Sequence, residues 1–116
     1  MTVLRIVPNL ATPDPAGLAA FYRDLLGLEP LMEMAFISTL AAPNEAPVQL
    51  SLAAEGGSGT ALPAISVEVD DLNDTLARAR DLGAAIEYGP VDEPWGVRRF
   101  FLRDPAGTLV NILTHS

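Results

Sequence analysis

The sequence contains one structural pattern twice, and this repeat constrains the fold more than any other feature. An aspartate is followed by a helix with an apolar face and a terminating glycine, first at Asp14 and again at Asp71, 57 residues further along. Aspartate is a favoured N-cap residue and glycine commonly ends a helix, so both ends of each helix are marked. In each copy, one apolar strand precedes the aspartate and three short strands follow the glycine. An internal duplication explains this repeat, which predicts an α+β fold of two βαβββ repeats, at about residues 3–54 and 62–114.

Apolar residues at alternating or helical spacing define the individual elements. In the first helix, one apolar face is formed by residues at helical spacing, namely Leu18, Phe21, Tyr22, Leu25 and Leu26, and we expect Phe21 and Tyr22 to be core residues. The predicted strands are Leu4–Val7, Leu28–Met32, Phe36–Ala41, Val48–Leu52, Ile65–Val69, Ile86–Tyr88, Arg99–Leu102 and Leu109–Leu113. The predicted connections are a turn at Pro43-Asn44, a flexible glycine-rich linker at Glu55–Thr60, a turn at Gly89-Pro90 and a hairpin turn at Asp104–Gly107.

Composition limits the class of protein and its partners. The 116 residues suit a single domain, residues 1–116, and a hydrophobic fraction of 49% is ample for its core. There is no cysteine, which excludes disulfides, thiolate metal ligands and a cysteine nucleophile. A net charge of −8 disfavours nucleic acid as a partner and would attract cations. No segment has the composition of a signal peptide or a membrane span, so we expect a cytoplasmic protein that binds neither nucleic acid nor membrane.

Four segments are similar to the motifs of a known family. They are Ala20–Leu28 (Ala-Phe-Tyr-Arg-Asp-Leu-Leu-Gly-Leu), Ile65–Leu72 (Ile-Ser-Val-Glu-Val-Asp-Asp-Leu), Trp95-Gly96 with Arg98–Phe100, and Arg103–Gly107 (Arg-Asp-Pro-Ala-Gly). With these segments, the chain resembles the vicinal oxygen chelate superfamily, which comprises glyoxalases, extradiol dioxygenases and bleomycin-resistance proteins. The Trp-Gly segment is most similar to that of metal-free, bleomycin-resistance-like members.

The resemblance implies a fold, an assembly and a set of possible metal positions. Each half would curl a mixed four-stranded sheet, the two sheets would surround a cleft, and the protein would be a homodimer. Enzymes of the superfamily hold a divalent metal with His, Gln or Glu at four positions, which fall here at Val7, Gln49 (or its neighbour Val48), Ala64 and Asn111. Valine and alanine offer no donor atom, and amides are weak donors compared with imidazole, thiolate or carboxylate. We therefore expect no bound metal and no other cofactor.

Five residues are candidates for contact with a ligand. By the resemblance, Trp95 would form an aromatic wall of the cleft, against a planar ligand; alternatively it would only cover a sheet edge. Phe36, at the start of a strand, would be a second stacking surface or an ordinary core residue. Glu93 could offer a carboxylate to a cationic ligand, or be simply solvated. Gln49 and Asn111 would project into the cleft, where they could hydrogen-bond a ligand or each other.

Three functions remain open from the sequence. We favour a metal-free binding protein that sequesters a planar or cationic small molecule in the cleft. The first alternative is a metal-dependent glyoxalase-like or dioxygenase-like enzyme with atypical ligands, and the second is a scaffold with a degenerate cleft that serves protein association. There is no nucleophile–base–acid set, because the single histidine, His115, lies beside the last residue of the sequence, where we expect it to be frayed and solvated.

Overall fold

A computed structural model describes residues 1–42 and 49–115. Its elements are β1 (Val3–Ala11), α1 (Pro15–Leu26), β2 (Glu29–Met34), β3 (Ile37–Ala41), β4 (Gln49–Ala53), β5 (Ile65–Val69), α2 (Leu72–Asp81), β6 (Ala85–Glu93), β7 (Val97–Arg103) and β8 (Leu109–His115). This order confirms the α+β class and the two predicted βαβββ repeats. The predicted turn at Pro43-Asn44 and the residue Val48 lie outside the described residues. Within those residues, neither helix has the length and hydropathy that a membrane span requires.

The backbone divides into two units that follow the repeats closely. The N-terminal unit is Val7–Leu62, with the strand order β2-β3-β4-β1, in which β1 and β4 are parallel and the other neighbours antiparallel. The C-terminal unit is Pro63–Ser116 together with Met1–Ile6. Its strand order is β5-β8-β7-β6, with the first residues of β1 beside β5, and its parallel pair is β5 and β8.

Both helices begin at the predicted aspartates. The Asp14 carboxylate accepts a hydrogen bond from the backbone N–H of Gly17 over 3.1 Å, and the Asp71 carboxylate accepts one from the N–H of Asp74 over 3.0 Å. These bonds satisfy backbone donors that have no partner inside the helix. The first helix ends at Gly27, whose φ of +68° lies in the left-handed region that favours glycine. The caps therefore set the helix ends, as the sequence predicts.

The core of the C-terminal unit lies between α2 and one face of its sheet. Val110 and Ile112 of β8 and Phe100 of β7 are buried there in one cluster with apolar residues of α2. Because successive residues of a strand point to opposite faces, Asn111 and Phe101 face away from the helix. We call this second side the helix-free face. It carries Ser66 and Glu68 of β5, Asn111 and His115 of β8, and Arg99 and Phe101 of β7.

The core of the N-terminal unit is smaller, and α1 covers less of its sheet than the sequence predicts. Ala19 of α1 and Leu52 of β4 are buried in a shared cluster. The prediction that Phe21 is a core residue is wrong, because Phe21 is more than half exposed. Leu25 and Leu26, on the same apolar face, are exposed to a similar extent. The sheet contacts the side of the helix centred on Ala19, and the apolar stripe of the sequence is wider than this contact.

The glycine-rich stretch between the repeats is folded, so the prediction of a flexible linker at Glu55–Thr60 is wrong. The backbone N–H of Gly56 donates to the carbonyl of Thr60 over 3.0 Å, and the N–H of Thr60 donates to the carbonyl of Gly57 over 3.0 Å. Gly56 is buried, and a Cβ added there would lie 2.2 Å from the Ala61 carbonyl oxygen. Gly56 is therefore needed for close packing. The glycine-rich composition of the segment does not by itself distinguish this role from flexibility.

The predicted turn at Gly89-Pro90 is also wrong, because β6 continues through it to Glu93. The register between β6 and β7 shifts at this point, as in a β-bulge. Gly89 has a φ of +74°, and a Cβ there would lie 2.5 Å from the carbonyl oxygen of Arg99. The chain instead reverses direction around Trp95, between β6 and β7. The bulge thus positions the residues of the hairpin end that are described next.

Candidate functional site

Three strands of the helix-free face bring Ser66, Asn111 and Phe101 side by side. The register places Asn111 opposite Ser66 on one side and opposite Phe101 on the other. Asn111 donates a hydrogen bond from Nδ2 to the Ser66 hydroxyl over 3.1 Å. Its second amide atom, Oδ1, is buried and has no hydrogen-bond partner among the described residues. A buried acceptor without a partner costs about 1–3 kcal/mol, so this oxygen is a candidate attachment point for a ligand.

The equivalent row of the N-terminal unit shows why the Asn111 oxygen lacks a partner. There the register places Ser51 between Asn9 of β1 and Thr39 of β3. The hydroxyls of Thr39 and Ser51 form a buried hydrogen bond of 2.8 Å. In the C-terminal unit, Phe101 stands where Thr39 stands in the first row, and a phenyl ring has no N–H or O–H donor. The two rows therefore differ in hydrogen-bonding capacity at one cross-strand neighbour.

A buried ion pair enclosed by aromatic rings lies at the hairpin end of the same face. The guanidinium of Arg99 pairs with the Glu93 carboxylate, with 2.8 Å between Nε and Oε2, and each side chain is 4% exposed. The guanidinium carbon lies 4.7 Å from the ring centroid of Phe101, 4.9 Å from that of Trp95 and 5.5 Å from that of Tyr88. The Tyr88 hydroxyl donates to Glu93 over 3.2 Å. Cation–π contacts and hydrogen bonds thus offset the cost of burying both charges.

This ion pair narrows the roles that two predicted ligand-binding residues can have. Trp95 is half-buried in the turn between β6 and β7, and its ring contacts Arg99 of its own chain. The Glu93 carboxylate, expected to face a cationic ligand, is buried and engaged by Arg99 and Tyr88. Ligand contact by Trp95 and by Glu93 stays a prediction. In the sequence, the ion pair between Arg99 and Glu93 is indicated only by the nearness of acidic and basic residues in one hairpin.

Two further candidates, Phe36 and Gln49, belong to the N-terminal unit. Phe36 lies in the turn between β2 and β3, so the prediction that it begins a strand is wrong; the strand begins at Ile37. Gln49 is half-buried at the start of β4, and strand alternation places it on the same side as Ser51. A ligand contact by Phe36 or Gln49 remains a prediction.

A third cluster on the helix-free face joins Arg5, Glu68 and His115. Glu68 Oε1 accepts a hydrogen bond from Arg5 Nε over 2.7 Å, and Glu68 Oε2 lies 2.6 Å from His115 Nδ1. The Glu68 side chain is 16% exposed and the His115 side chain 51%. His115 ends β8 in contact with the Glu68 carboxylate, so the expectation that it is frayed is wrong, although half of its side chain is exposed to solvent. Only the shared face of alternating residues on β5 and β8 could have indicated this cluster from the sequence.

The contacts of Glu68 decide its charge and the proton position on His115. Burial raises the pKa of Glu68, but the hydrogen bond from His115 and the charge of Arg5 outweigh it and hold the pKa below its usual value. An ionised carboxylate only accepts hydrogen bonds, so Nδ1 of His115 must carry a proton. In the neutral imidazole, Nε2 is then the atom with the available lone pair.

The family follows from a match that covers nearly the whole chain. A model of the Glyoxalase/Bleomycin resistance protein/Dioxygenase superfamily matches residues 3–112. The chain belongs to this superfamily. The match confirms the resemblance and spans both βαβββ repeats. Among curated proteins, none matches the sequence significantly.

Solved structures are similar to the chain over nearly its whole length. A structure described as NAD-dependent benzaldehyde dehydrogenase from Legionella pneumophila has a TM-score of 0.78 at 16% identity, covering 97% of this chain and 100% of that one. Methylmalonyl-CoA epimerase from Streptomyces coelicolor, in complex with 2-nitronate-propionyl-CoA, has a TM-score of 0.71 at 21% identity, with coverages of 99% and 96%. A glyoxalase/bleomycin resistance protein/dioxygenase superfamily member from Vibrio splendidus 12B01 has a TM-score of 0.67 at 21% identity, with coverages of 97% and 99%. At these identities the likeness shows the fold alone.

The residues at the metal positions of the glyoxalase superfamily do not fit a divalent transition metal in this chain. Val7 is a buried hydrocarbon side chain, and Ala64 has only a methyl group. Asn111 uses its amide nitrogen on Ser66 and, like Gln49, offers at most a neutral oxygen. The described ranges contain no cluster of three or more His, Cys, Asp or Glu residues suited to a metal ion. We therefore derive no chemistry through a metal.

Proposed function

We propose that this glyoxalase-superfamily chain binds a small organic molecule, planar or cationic, by metal-free capture at the helix-free face of its C-terminal unit. The observation that carries the proposal is the buried, unpaired Oδ1 of Asn111. A ligand that donates an N–H or O–H to this oxygen satisfies it and recovers the free energy that the empty protein loses there. The matching ligand group is an amine, amide or hydroxyl rather than a carboxylate.

The surroundings of Asn111 support a planar ligand. Phe101 is its cross-strand neighbour, and Phe101 packs with Tyr88 at 5.1 Å between ring centroids. Aromatic rings favour offset or edge contacts with a second flat ring. The polar atom would thus orient a ligand whose flat body contacts the aromatic residues, which is the usual division of roles in a small-molecule site.

A positive charge on the ligand is supported by the overall field rather than by one carboxylate. Glu93 is neutralised by Arg99 within the chain. The net charge of −8 nevertheless makes the surface attractive to cations and unattractive to anions. We therefore infer long-range attraction of a cationic ligand, weakened by salt, and local selection by the Asn111 oxygen.

Fluorescence of Trp95, the only tryptophan, tests the proposal directly. The protein is titrated, in the presence of a metal chelator, with a panel of planar cationic natural products that includes bleomycin. We expect a saturable change of emission for at least one compound. Asn111→Leu, which removes the oxygen at similar volume, should abolish that response. Asn73→Leu, the same substitution at an exposed position of α2, should keep it.

Two results of this titration would contradict the proposal. One is an unchanged response in Asn111→Leu, because the oxygen would then have no part in binding. The other is a response that appears only after a divalent metal is added, since this would favour the metal-dependent enzyme. Simple capture would also be excluded if the protein turned over the bound compound and this turnover disappeared when Trp95 was replaced.

We also propose that two copies of the chain form a homodimer in the cytoplasm. Phe21 and Leu25, one turn apart on α1, are 56% and 62% exposed, which is unusual for side chains of this size. Exposed apolar ridges of this kind commonly lie in protein interfaces. The absence of cysteine from the chain agrees with a reducing compartment.

A further inference from the structure

We propose that Nε2 of His115 is an acyl-accepting nucleophile and that activated carboxylic esters are its substrate class. The side chain is half exposed at the end of β8, where an ester in solution can reach the ring. Its Nδ1 is held by Glu68 at 2.6 Å, and Glu68 is held in turn by Arg5 at 2.7 Å. This inference does not rest on the proposed binding at Asn111.

Glu68 acts here as a positioning residue. Both carboxylate oxygens are engaged, Oε1 by Arg5 and Oε2 by His115, so the carboxylate cannot rotate freely. Its bond to the Nδ1 proton fixes the ring orientation and the tautomer that leaves the Nε2 lone pair available. It also stabilises positive charge on the ring when Nε2 forms a bond. Carboxylate-oriented imidazoles perform this role in general-base and nucleophilic sites.

The rest of the chain offers little competition with His115 as a nucleophile at neutral pH. The sequence has no cysteine and no lysine, so the other neutral-pH candidate is the α-amino group. Among the residues that the structure describes, the charged groups at the ring are Glu68 from β5 and, through that carboxylate, Arg5 from β1. From β7, the cross-strand neighbour of His115 is the uncharged Val97. The reactivity of the ring is therefore set mainly by one carboxylate.

The chemical step balances with water as the only co-reactant. The Nε2 lone pair adds to the ester carbonyl carbon, the bond from that carbon to the leaving oxygen breaks, and its electron pair departs with the alkoxide or phenolate. The acyl group is then on Nε2, and Glu68 stabilises the positive ring. Water adds to the acyl carbon, the carbon–nitrogen bond breaks, and a carboxylate and protons are released while the imidazole is restored.

The test is hydrolysis of p-nitrophenyl acetate at about pH 8, followed by release of p-nitrophenolate. We expect His115→Gln to fall to the background rate, which the α-amino group and solvent supply. Glu68→Gln should lower the rate above background at least about tenfold, because the amide can donate to Nδ1 and thereby reverse the tautomer. Glu87→Gln is the matched control. This exposed glutamate pairs with Arg103 at 2.7 Å, and its replacement should leave the hydrolysis rate unchanged.

Nitrogen-15 NMR of the single histidine supplies a readout that a merely structural role would not change. The wild-type ring should show a protonated Nδ1 and a bare Nε2, and Glu68→Gln should shift the ring towards the opposite tautomer. Circular dichroism checks that each variant is folded. If Glu68→Gln does not fold, Arg5→Gln serves as the second test of the cluster. A wild-type rate equal to that of His115→Gln would overturn the proposal. An unchanged rate and tautomer in folded Glu68→Gln would overturn the role of the carboxylate.

Discussion

Arg99 and Glu93 form a buried ion pair across the β6–β7 hairpin, and three aromatic rings lie within 5.5 Å of the guanidinium carbon. Arg99 sits in the middle of its strand, whereas Glu93 ends the preceding one. The pair therefore joins the end of the hairpin to the interior of the sheet. It also fixes the ring of Trp95, which contacts Arg99 from the turn.

Replacing one partner of this pair should cost much more than replacing both. In Arg99→Met, the Glu93 carboxyl group would remain buried without its cation, and we expect the free energy of unfolding to fall by about 3–5 kcal/mol. Arg99→Met combined with Glu93→Leu removes both charges and should recover most of that loss. Urea denaturation of the two variants measures the difference, and a double variant no more stable than the single one would contradict this account.

Asn111→Leu should stabilise the protein while it removes ligand binding. The substitution eliminates a buried acceptor that has no partner among the described residues, and the apolar contact that it adds beside Phe101 offsets the lost hydrogen bond to Ser66. We expect an increase of about 1 kcal/mol in the free energy of unfolding, measured by thermal or urea denaturation. Asn73→Leu, on the exposed side of α2, provides the reference for the substitution itself. A loss of stability in Asn111→Leu relative to this reference would contradict the prediction.

The Glu68 cluster should make stability depend on acid pH. Because the folded-state pKa of Glu68 lies below its usual value, its contribution is complete above the unfolded-state pKa of about 4.3 and is lost as the pH falls through the folded-state pKa. Glu68→Gln should therefore flatten the acid limb of a stability–pH profile. The same profile for Glu87→Gln is the control, and identical acid limbs for wild type and Glu68→Gln would refute the assignment.

Phe21→Glu should dissociate the proposed homodimer without unfolding the chain. The side chain is 56% exposed, so the charge costs little in the monomer but would be buried in an interface through α1. Sedimentation velocity should show a dimer for wild type and a monomer for the variant. Leu82→Glu places the same charge at an 86% exposed leucine beyond the end of α2 and should remain dimeric. A monomeric wild-type protein would end the proposal.

The sequence predicts the fold well because the decisive signals are local. Asp14 and Asp71 cap their helices through backbone bonds to residues three positions later, and strand alternation identifies buried faces. The helix face was misjudged at Phe21, because the spacing of apolar residues does not say how wide a strip the sheet will cover. The turn predicted at Gly89-Pro90 was wrong because the same two residues can make a bulge inside a strand.

The candidate site was harder to predict because it depends on cross-strand neighbours. Asn111 was identified from its place on the last strand, but its unpaired oxygen follows from having Phe101 rather than a hydroxyl beside it. Glu93 was expected to face a ligand, and its actual partner is set by the register of a bulged hairpin. Glu68 and His115 are 47 residues apart, and only the pairing of their strands brings them together.

Because the two hydrogen-bonding rows differ, the proposed ligand specificity depends on an asymmetry between the two copies of the repeat. In the N-terminal unit, the hydroxyl groups of Thr39 and Ser51 form a hydrogen bond with each other. In the C-terminal unit, Phe101 offers no hydrogen-bond donor to Asn111, so the Oδ1 atom remains available as an acceptor for a ligand. Under the proposed function, replacing Phe101 by a hydroxyl residue would supply the missing donor to Asn111 and abolish binding, so a single aromatic side chain would make the duplicated copies functionally different.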